Sequence, residues 1–228
     1  MNDFFWFEFH NLSWLKNLWH PITLVLQYLL TPPIGGFIRI IFVGCFLKIR
    51  MTLIKSISGI RGTIGGRPGE GLSPLDVVKF SSAFGTWVSR NSDNQRLKIV
   101  IGRDARISGS LVSGLVSASL QSLGIDVIDL GLTTTPTVEV AVVEEVADAG
   151  IILTASHNPK QWNALKLLNA KGEFIDATDG AEVLSIADAE DFEFATVNQL
   201  GKYLQNDTYL HKHIQMVVNL PLVDVEAI

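Results

Sequence analysis

From Met51 onward, short apolar runs alternate with longer stretches whose apolar residues recur at helical spacing. This alternation limits the fold more than any other feature of the chain. Strands joined through helices form layered α/β domains, with helices on both faces of a largely parallel sheet. Leu53 to Ile57 is the first such run, and glycines at 59, 62, 65 and 66 follow it. A strand, a tight glycine-rich loop and a hairpin are expected there. Ser73-Pro74-Leu75-Asp76 is a helix start: a capping serine, a proline at the first helical position and an acid in the first turn. Leu75, Val78, Phe84, Trp87 and Val88 continue at helical spacing to about Ser89.

The pattern then repeats. Leu97 to Ile101 reads as a buried strand, and Gly102-Arg103-Asp104-Ala105-Arg106 as the loop after it. Ser108 is expected to cap a second helix, with Leu111, Leu115, Val116, Leu120 and Leu123 as its apolar positions and Gly124 as its stop. Ile125 to Leu130 is a third strand. Thr133 to Pro136 opens a third helix, and Gly150 to Leu153 is a fourth strand. Leu165 to Asn169 and Glu173 to Ile175 form a hairpin around Lys171-Gly172, followed by a helix over about 178–187. Residues 190–203 read as a connector, and a helix is expected from Tyr203 to about Leu220. The expected organisation is a hydrophobic extension over 1–50, an α/β domain over 51–190, and a linker with the opening helix of a second domain over 191–228.

Residues 1–50 differ in kind. They hold three of the five tryptophans, many Phe and Leu, and a Thr31-Pro32-Pro33 break between two apolar stretches. Ile22 to Leu30 and Ile34 to Ile49 both fall short of the roughly 20 residues that a spanning helix needs. The aromatic, acidic start does not resemble a secretory signal. Three readings stay open: spurious sequence upstream of a true start at Met51, a membrane-surface anchor, or a packed extension. The apolar, Trp-rich and mildly basic character suits an interface.

Charge narrows the partners. The whole chain has a net charge of −5, but residues 1–50 carry four basic against two acidic side chains. The remainder holds 14 basic and 21 acidic side chains. Such an acidic body argues against nucleic-acid binding, which needs a basic footprint. A few local Arg and Lys can still govern one cleft for an anionic substrate. Cys45 is the only cysteine, so neither a disulfide framework nor a cysteine metal cluster forms within one chain. That fits a reducing, cytoplasmic compartment, with membrane association through residues 1–50 as the alternative.

Ligands of open α/β sheets bind outside the carboxyl ends of the strands. Ser156 falls at such an end, just past the Gly150–Leu153 run, in a polar loop stopped by Pro159. Position alone suits a nucleophile, and it equally suits a serine in an ordinary turn.

The surrounding residues add a resemblance. Thr154-Ala155-Ser156-His157-Asn158-Pro159, followed by Asn163 and Lys166, closely resembles the signature loop of the phosphohexomutases, the phosphoglucomutase/phosphomannomutase superfamily. Ser58-Gly59-Ile60-Arg61-Gly62 resembles the family's early loop. Gly102 to Arg106 resembles the loop after its second strand, and Thr135-Pro136-Thr137 the turn before its third helix. The likeness runs from Thr52 to the end of the chain and corresponds to the family's first domain with the opening helix of its second. It implies a three-layer α/β/α domain with a mixed, largely parallel sheet, here preceded by the hydrophobic N-terminal extension.

The resemblance also implies roles. Ser156 would be phosphorylated and would donate its phosphoryl group to a hexose or hexosamine phosphate. A sugar bisphosphate would form and return its other phosphoryl group, so that phosphate moves between the C1 and C6 hydroxyls. Arg61 would stabilise phosphoryl oxygens with its planar guanidinium; on its own it would be an exposed arginine in a glycine-rich turn. Lys166 would steer phosphate or assist proton transfer. His157 is a candidate acid/base group with a loop-ordering role as the alternative. Asn158, Arg103, Asp104 and Arg106 are candidates to support the serine loop, the last three through salt bridges. The phosphate on Ser156 would offer an oxygen to Mg²⁺, whose remaining ligands are expected in a second domain.

Some positions depart from the family pattern. Ala164 stands where many relatives have glycine, and Gln161-Trp162 replaces a commoner acidic–aromatic pair. No Asp-Gly-Asp-x-Asp string of the kind that holds the family's metal occurs. A chain lacking it is expected to be incomplete for turnover. Two alternatives remain: a non-catalytic, membrane-associated α/β binding protein, and a generic nucleotide-binding domain. The second is weakened because no Gly-x-Gly-x-x-Gly or Walker loop follows a strand.

Overall fold

The computed structural model describes residues 51–56 and 59–227. The expectations for residues 1–50, including the anchor, and for Ser58 lie outside the described residues. The described elements belong to the compact unit that runs from Ile49 onward.

Among the described residues, seven strands form one sheet. They are β1 (Ile54–Ser56), β2 (Gly59–Thr63), β3 (Lys98–Arg103), β4 (Asp126–Leu132), β5 (Ala149–Leu153), β6 (Trp162–Leu168) and β7 (Tyr203–Gln205). The helices are α1 (Pro74–Asn91), α2 (Gly109–Ser122), α3 (Thr135–Glu144), α4 (Ala177–Ala189) and α5 (Tyr209–Val218). The strand order is β1-β2-β6-β5-β3-β4-β7. β5, β3, β4 and β7 pair in parallel, and β6, β2 and β1 add on antiparallel. All strands except β1 and β6 therefore run the same way, and the sheet is mixed but largely parallel.

Two apolar clusters make the fold three-layered. Ile99 and Ile101 of β3, with Ile151 and Leu153 of β5, face one side and meet Phe80 and Phe84 of α1, Val112 and Val116 of α2 and Val183 of α4. Val100 and Ile152, the alternate residues on the same strands, face the other side with Val138, Ala141 and Val142 of α3 and Tyr209 of α5. Strand side chains alternate between faces, so a strand buried on both faces is apolar at every position. That is why the runs after Leu97 and Gly150 are continuous rather than alternating. Each fully buried Leu, Ile or Phe contributes roughly 1.5–3 kcal/mol of transfer free energy.

The start of α1 is as the sequence predicts. The Ser73 hydroxyl accepts from the Asp76 amide at 3.3 Å, and the Asp76 carboxylate accepts from the Ser73 amide at 3.0 Å. This reciprocal capping box satisfies two otherwise unpaired donors. The buried stripe of α1 is Val77, Phe80, Phe84, Trp87 and Val88; Leu75 instead faces solvent at 65% exposure.

Several boundaries differ from expectation. Gly59 and Gly62 lie within β2 rather than in a loop, and the turn comes later, at Gly65, Gly66 and Gly69. Gly59 has φ +129°, and a Cβ there would stand 2.0 Å from the Leu165 carbonyl oxygen, so only glycine lets β2 approach β6 at this point. Gly102 and Arg103 belong to β3, not to the following loop. Leu111 is exposed, and Ser108 caps α2 without a side-chain bond to its backbone. Tyr203–Gln205 is a strand parallel to β4, where a helix was expected, and α5 begins only at Tyr209. Tyr203 goes to the sheet because its hydroxyl reaches the buried Asp129 carboxylate at 2.8 Å while its backbone extends the ladder.

Candidate functional site

The parallel strands β3 and β5 end side by side, with Arg103 in register with Leu153. Asp104 and Thr154 are the first residues beyond that pair. The Asp104 amide continues the ladder to the Leu153 carbonyl at 3.2 Å. The two side chains then meet: the Thr154 hydroxyl donates to Asp104 Oδ2 at 2.7 Å. Thr154 Oγ1 in turn accepts from the Ser156 amide at 3.0 Å.

Arg106 closes the loop from the other side. Its Nε pairs with Asp104 Oδ2 at 3.1 Å. Nη1 donates to the carbonyls of Pro159 (2.9 Å) and Trp162 (3.0 Å). Nη2 donates to the carbonyls of Ser156 (2.7 Å) and Asn158 (2.8 Å). All five guanidinium N–H groups are thus used, and the side chain is only 10% exposed. A planar fork of fixed donors suits such a task better than an ammonium. Of the three residues expected to form salt-bridged support, Asp104 and Arg106 are brought together. Arg103 stands outside that pair, its guanidinium reaching only the Asp104 carbonyl at 3.4 Å.

Ser156 is exposed and has φ +52°. A left-handed conformation at a residue with a side chain costs roughly 1–2 kcal/mol and persists where the surroundings over-determine it. Here the Ser156 amide and carbonyl are both held, by Thr154 and Arg106. In this conformation Ser156 Oγ lies 3.0 Å from Lys166 Nζ.

Lys166 comes from β6, where it pairs with Ile152 of β5. Arg61 of β2 pairs with Ala164, two residues before Lys166, so Arg61 and Lys166 share one face of the sheet as diagonal neighbours. Arg61 is exposed, and its side chain makes no hydrogen bond or ion pair with a described residue. The Lys166 ammonium also lies over the Phe174 ring, 5.8 Å from its centroid. This face of the sheet therefore presents two cations, Lys166 beside the Ser156 hydroxyl and Arg61 one strand further out, an arrangement suited to an anion.

Asn158 folds back on the loop, its side-chain amide donating to the Ala155 carbonyl at 3.0 Å. His157 is exposed and makes no side-chain hydrogen bond with a described residue. The fully buried Asn163 donates to Ser108 Oγ at 3.0 Å, tying β6 to the start of α2. That contact is where the Ser108 hydroxyl goes instead of capping. Thr154 and Phe174 are contacts of the site that have no assigned role among the residues expected above. A threonine two residues before the serine is a local signal of a side-chain-to-backbone turn; for Phe174 the signal is the hairpin expected around Lys171-Gly172, which returns it to β6, where it bridges Leu168.

Among the described residues, no group of three or more His, Cys, Asp or Glu is placed to hold a metal ion. Asp104, the carboxylate nearest the serine loop, is already engaged by Arg106 and Thr154. These residues alone do not make the oxygen-rich, near-octahedral site that Mg²⁺ requires. No helix among them is long and apolar enough to cross a membrane.

Residues 53–194 match the family model described as phosphoglucomutase/phosphomannomutase, alpha/beta/alpha domain I. A phosphoglucomutase/phosphomannomutase of Thermococcus kodakarensis is 37% identical over 169 residues, covering 73% of this chain and 36% of its own. A phosphoglucosamine mutase of Limosilactobacillus fermentum is 36% identical over 133 residues, covering 58% and 28%. The crystal structure of a phosphoglucomutase/phosphomannomutase family protein from Burkholderia thailandensis superposes with a TM-score of 0.60 at 24% identity. That superposition covers 75% of this chain and 36% of the other, and it shows the shared fold. The chain thus spans about a third of the length of the curated relatives it matches.

Proposed function

The chain belongs to the phosphoglucomutase/phosphomannomutase family, and on that premise we propose that Ser156 is the phosphoryl carrier of a phosphohexomutase reaction. The substrate is a hexose or hexosamine phosphate, the chemistry named for the relatives. The phosphoserine donates its phosphoryl group to the free C1 or C6 hydroxyl: the sugar O–P bond forms, the Oγ–P bond breaks, and the hydroxyl proton is released. The bisphosphate then returns its other phosphoryl group to Oγ, leaving the sugar with its phosphate moved.

The observation that carries this reading is the 3.0 Å contact between Lys166 Nζ and Ser156 Oγ. An ammonium there offsets charge on the bridging oxygen as the Oγ–P bond breaks, and it can donate a proton to the freed serine. Arg61, on the same sheet face, supplies a second cation for the phosphoryl oxygens. Asp104, Arg106 and Asn158 hold the loop. His157 is free to meet the sugar as an acid or base. The phosphate on Ser156 would offer one oxygen to Mg²⁺, which would supply charge neutralisation for the transferring phosphoryl group, with the other ligands lying outside the described residues. This reading places the enzyme in the cytosol with other sugar-phosphate chemistry.

The test is to incubate the chain with a hexose 1,6-bisphosphate and map phosphate by mass spectrometry. Phosphate on Ser156, abolished by Ser156→Ala, is expected. A chain that takes no phosphate, or takes it on another residue, overturns the proposal.

A further inference from the structure

We propose that Thr154 is a positioning residue for phosphoryl transfer: its hydroxyl, anchored on Asp104, holds Ser156 in the left-handed conformation that aims Oγ at Lys166. The inference rests on Ser156 as the phosphoryl carrier.

The geometry is a relay. Asp104 Oδ2 accepts from Thr154 Oγ1 at 2.7 Å, which orients the threonine hydroxyl and turns its lone pairs outward. One lone pair accepts the Ser156 amide at 3.0 Å. Thr154 is 8% exposed, so water competes poorly for this bond. The same Asp104 oxygen holds Arg106 Nε, and Arg106 binds the Ser156 carbonyl. One carboxylate oxygen therefore governs both peptide groups that flank the Ser156 α-carbon. With both pinned, φ +52° is imposed despite its intrinsic cost. Releasing the amide removes half of that constraint. The residue then relaxes toward negative φ, and rotation about N–Cα carries Oγ out of hydrogen-bond reach of Lys166. In-line transfer is sensitive to such displacement, because a shift of about 1 Å can cost on the order of a hundredfold in rate.

Thr154→Val keeps the shape and deletes the hydroxyl; Thr154→Ser restores it. Three readouts are compared across the parent and both variants. They are the crystal structure at Ser156, amide hydrogen exchange at Ser156, and the rate and half-saturating concentration for phosphorylation by a hexose 1,6-bisphosphate. For Thr154→Val we expect negative φ at Ser156, loss of amide protection, and a rate reduced about tenfold or more with the half-saturating concentration unchanged. Thr154→Ser should recover all three. A Thr154→Val protein that keeps the left-handed serine and the parental rate overturns the inference and leaves the carrier reading standing. A parent that takes no phosphate overturns the carrier reading, and the conformation and exchange data still decide what Thr154 does. Should Thr154→Val fail to fold, exchange in the parent decides: a Ser156 amide exchanging as fast as an open loop overturns the inference, and a protected one upholds it.

Discussion

Arg106 Nη2 donates to the Ser156 carbonyl at 2.7 Å across 50 residues of sequence. With its other donors on Asp104, Asn158, Pro159 and Trp162, Arg106 is the residue on which the serine loop is built. Arg106→Ala strips four carbonyls of a donor and Asp104 of its cation. A loss of about 3 kcal/mol in unfolding free energy is expected, as for breaking a mostly buried ion pair. Arg106→Lys should recover only part of it, because one ammonium cannot reach all five acceptors. Urea titrations of the three proteins measure both effects, and a near-neutral Arg106→Ala would contradict the structural role given to this side chain.

Lys166 faces Ser156 Oγ, the oxygen proposed to carry the phosphoryl group, so its removal should act on rate more than on stability. Lys166→Met is expected to slow Ser156 phosphorylation by roughly 10²–10⁴-fold, the range for a positioned acid/base group. Its melting temperature should stay close to that of the parent, since the lysine head is at the surface. Stopped-time phosphorylation assays beside thermal melts separate the two outcomes.

Val146 follows α3 with φ +50° and is 77% exposed. A β-branched residue is a poor occupant of this region, and its side chain gains little from burial here. Val146→Asn should stabilise the domain by about 1 kcal/mol, the usual left-handed penalty less the small loss of apolar contact. An unchanged or lower denaturation midpoint would show that the loop accommodates valine without strain.

Asp126 receives Arg96 Nε and Nη2, both at 2.6 Å, and the Lys202 amide at 2.7 Å. The hydrogen bond from Arg96, foremost, holds its carboxyl below the ordinary carboxylate range. A depressed folded-state pKa means that the unfolded chain binds the proton more readily. The contribution to stability is present above the unfolded value of about 3.9 and is lost as pH falls through the lower folded value. Thermal melts of the parent should therefore decline in acid more steeply than those of Asp126→Asn. Parallel curves for the two proteins would remove Asp126 as a cause.

An opposite effect is expected in alkali. Burial, and then the hydrogen bond to Asp129, pushes the Tyr203 phenol up to about 12. The folded state thus favours the neutral phenol, and its contribution is complete below the ordinary value of about 10 and lost as pH rises toward the folded value. Ultraviolet titration of the parent against Tyr203→Phe should reveal one late-ionising tyrosine that the variant lacks.

Elements with local causes are readable from the order of residues alone. The capping box at Ser73 and Asp76 is legible because its partners lie three residues apart. The buried strands after Leu97 and Gly150 are legible because two-sided burial demands apolar residues at every position. The serine loop was legible as a string of residues and a resemblance. Tertiary structure decided the rest. Tyr203–Gln205 became a strand because β4, more than seventy residues earlier, offered an open edge and Asp129. Ser108 Oγ accepts from the Asn163 side-chain amide of β6 rather than from the backbone of its own helix. Arg103 and Arg106 have the same side chain, yet only Arg106 meets a ring of converging carbonyls. The left-handed turn at Ser156 and its approach to Lys166 likewise exist only once β3, β5 and β6 stand side by side. Capping and periodicity act over a few residues, whereas hydrogen-bond partners of a buried guanidinium are set by which strands the whole chain brings together.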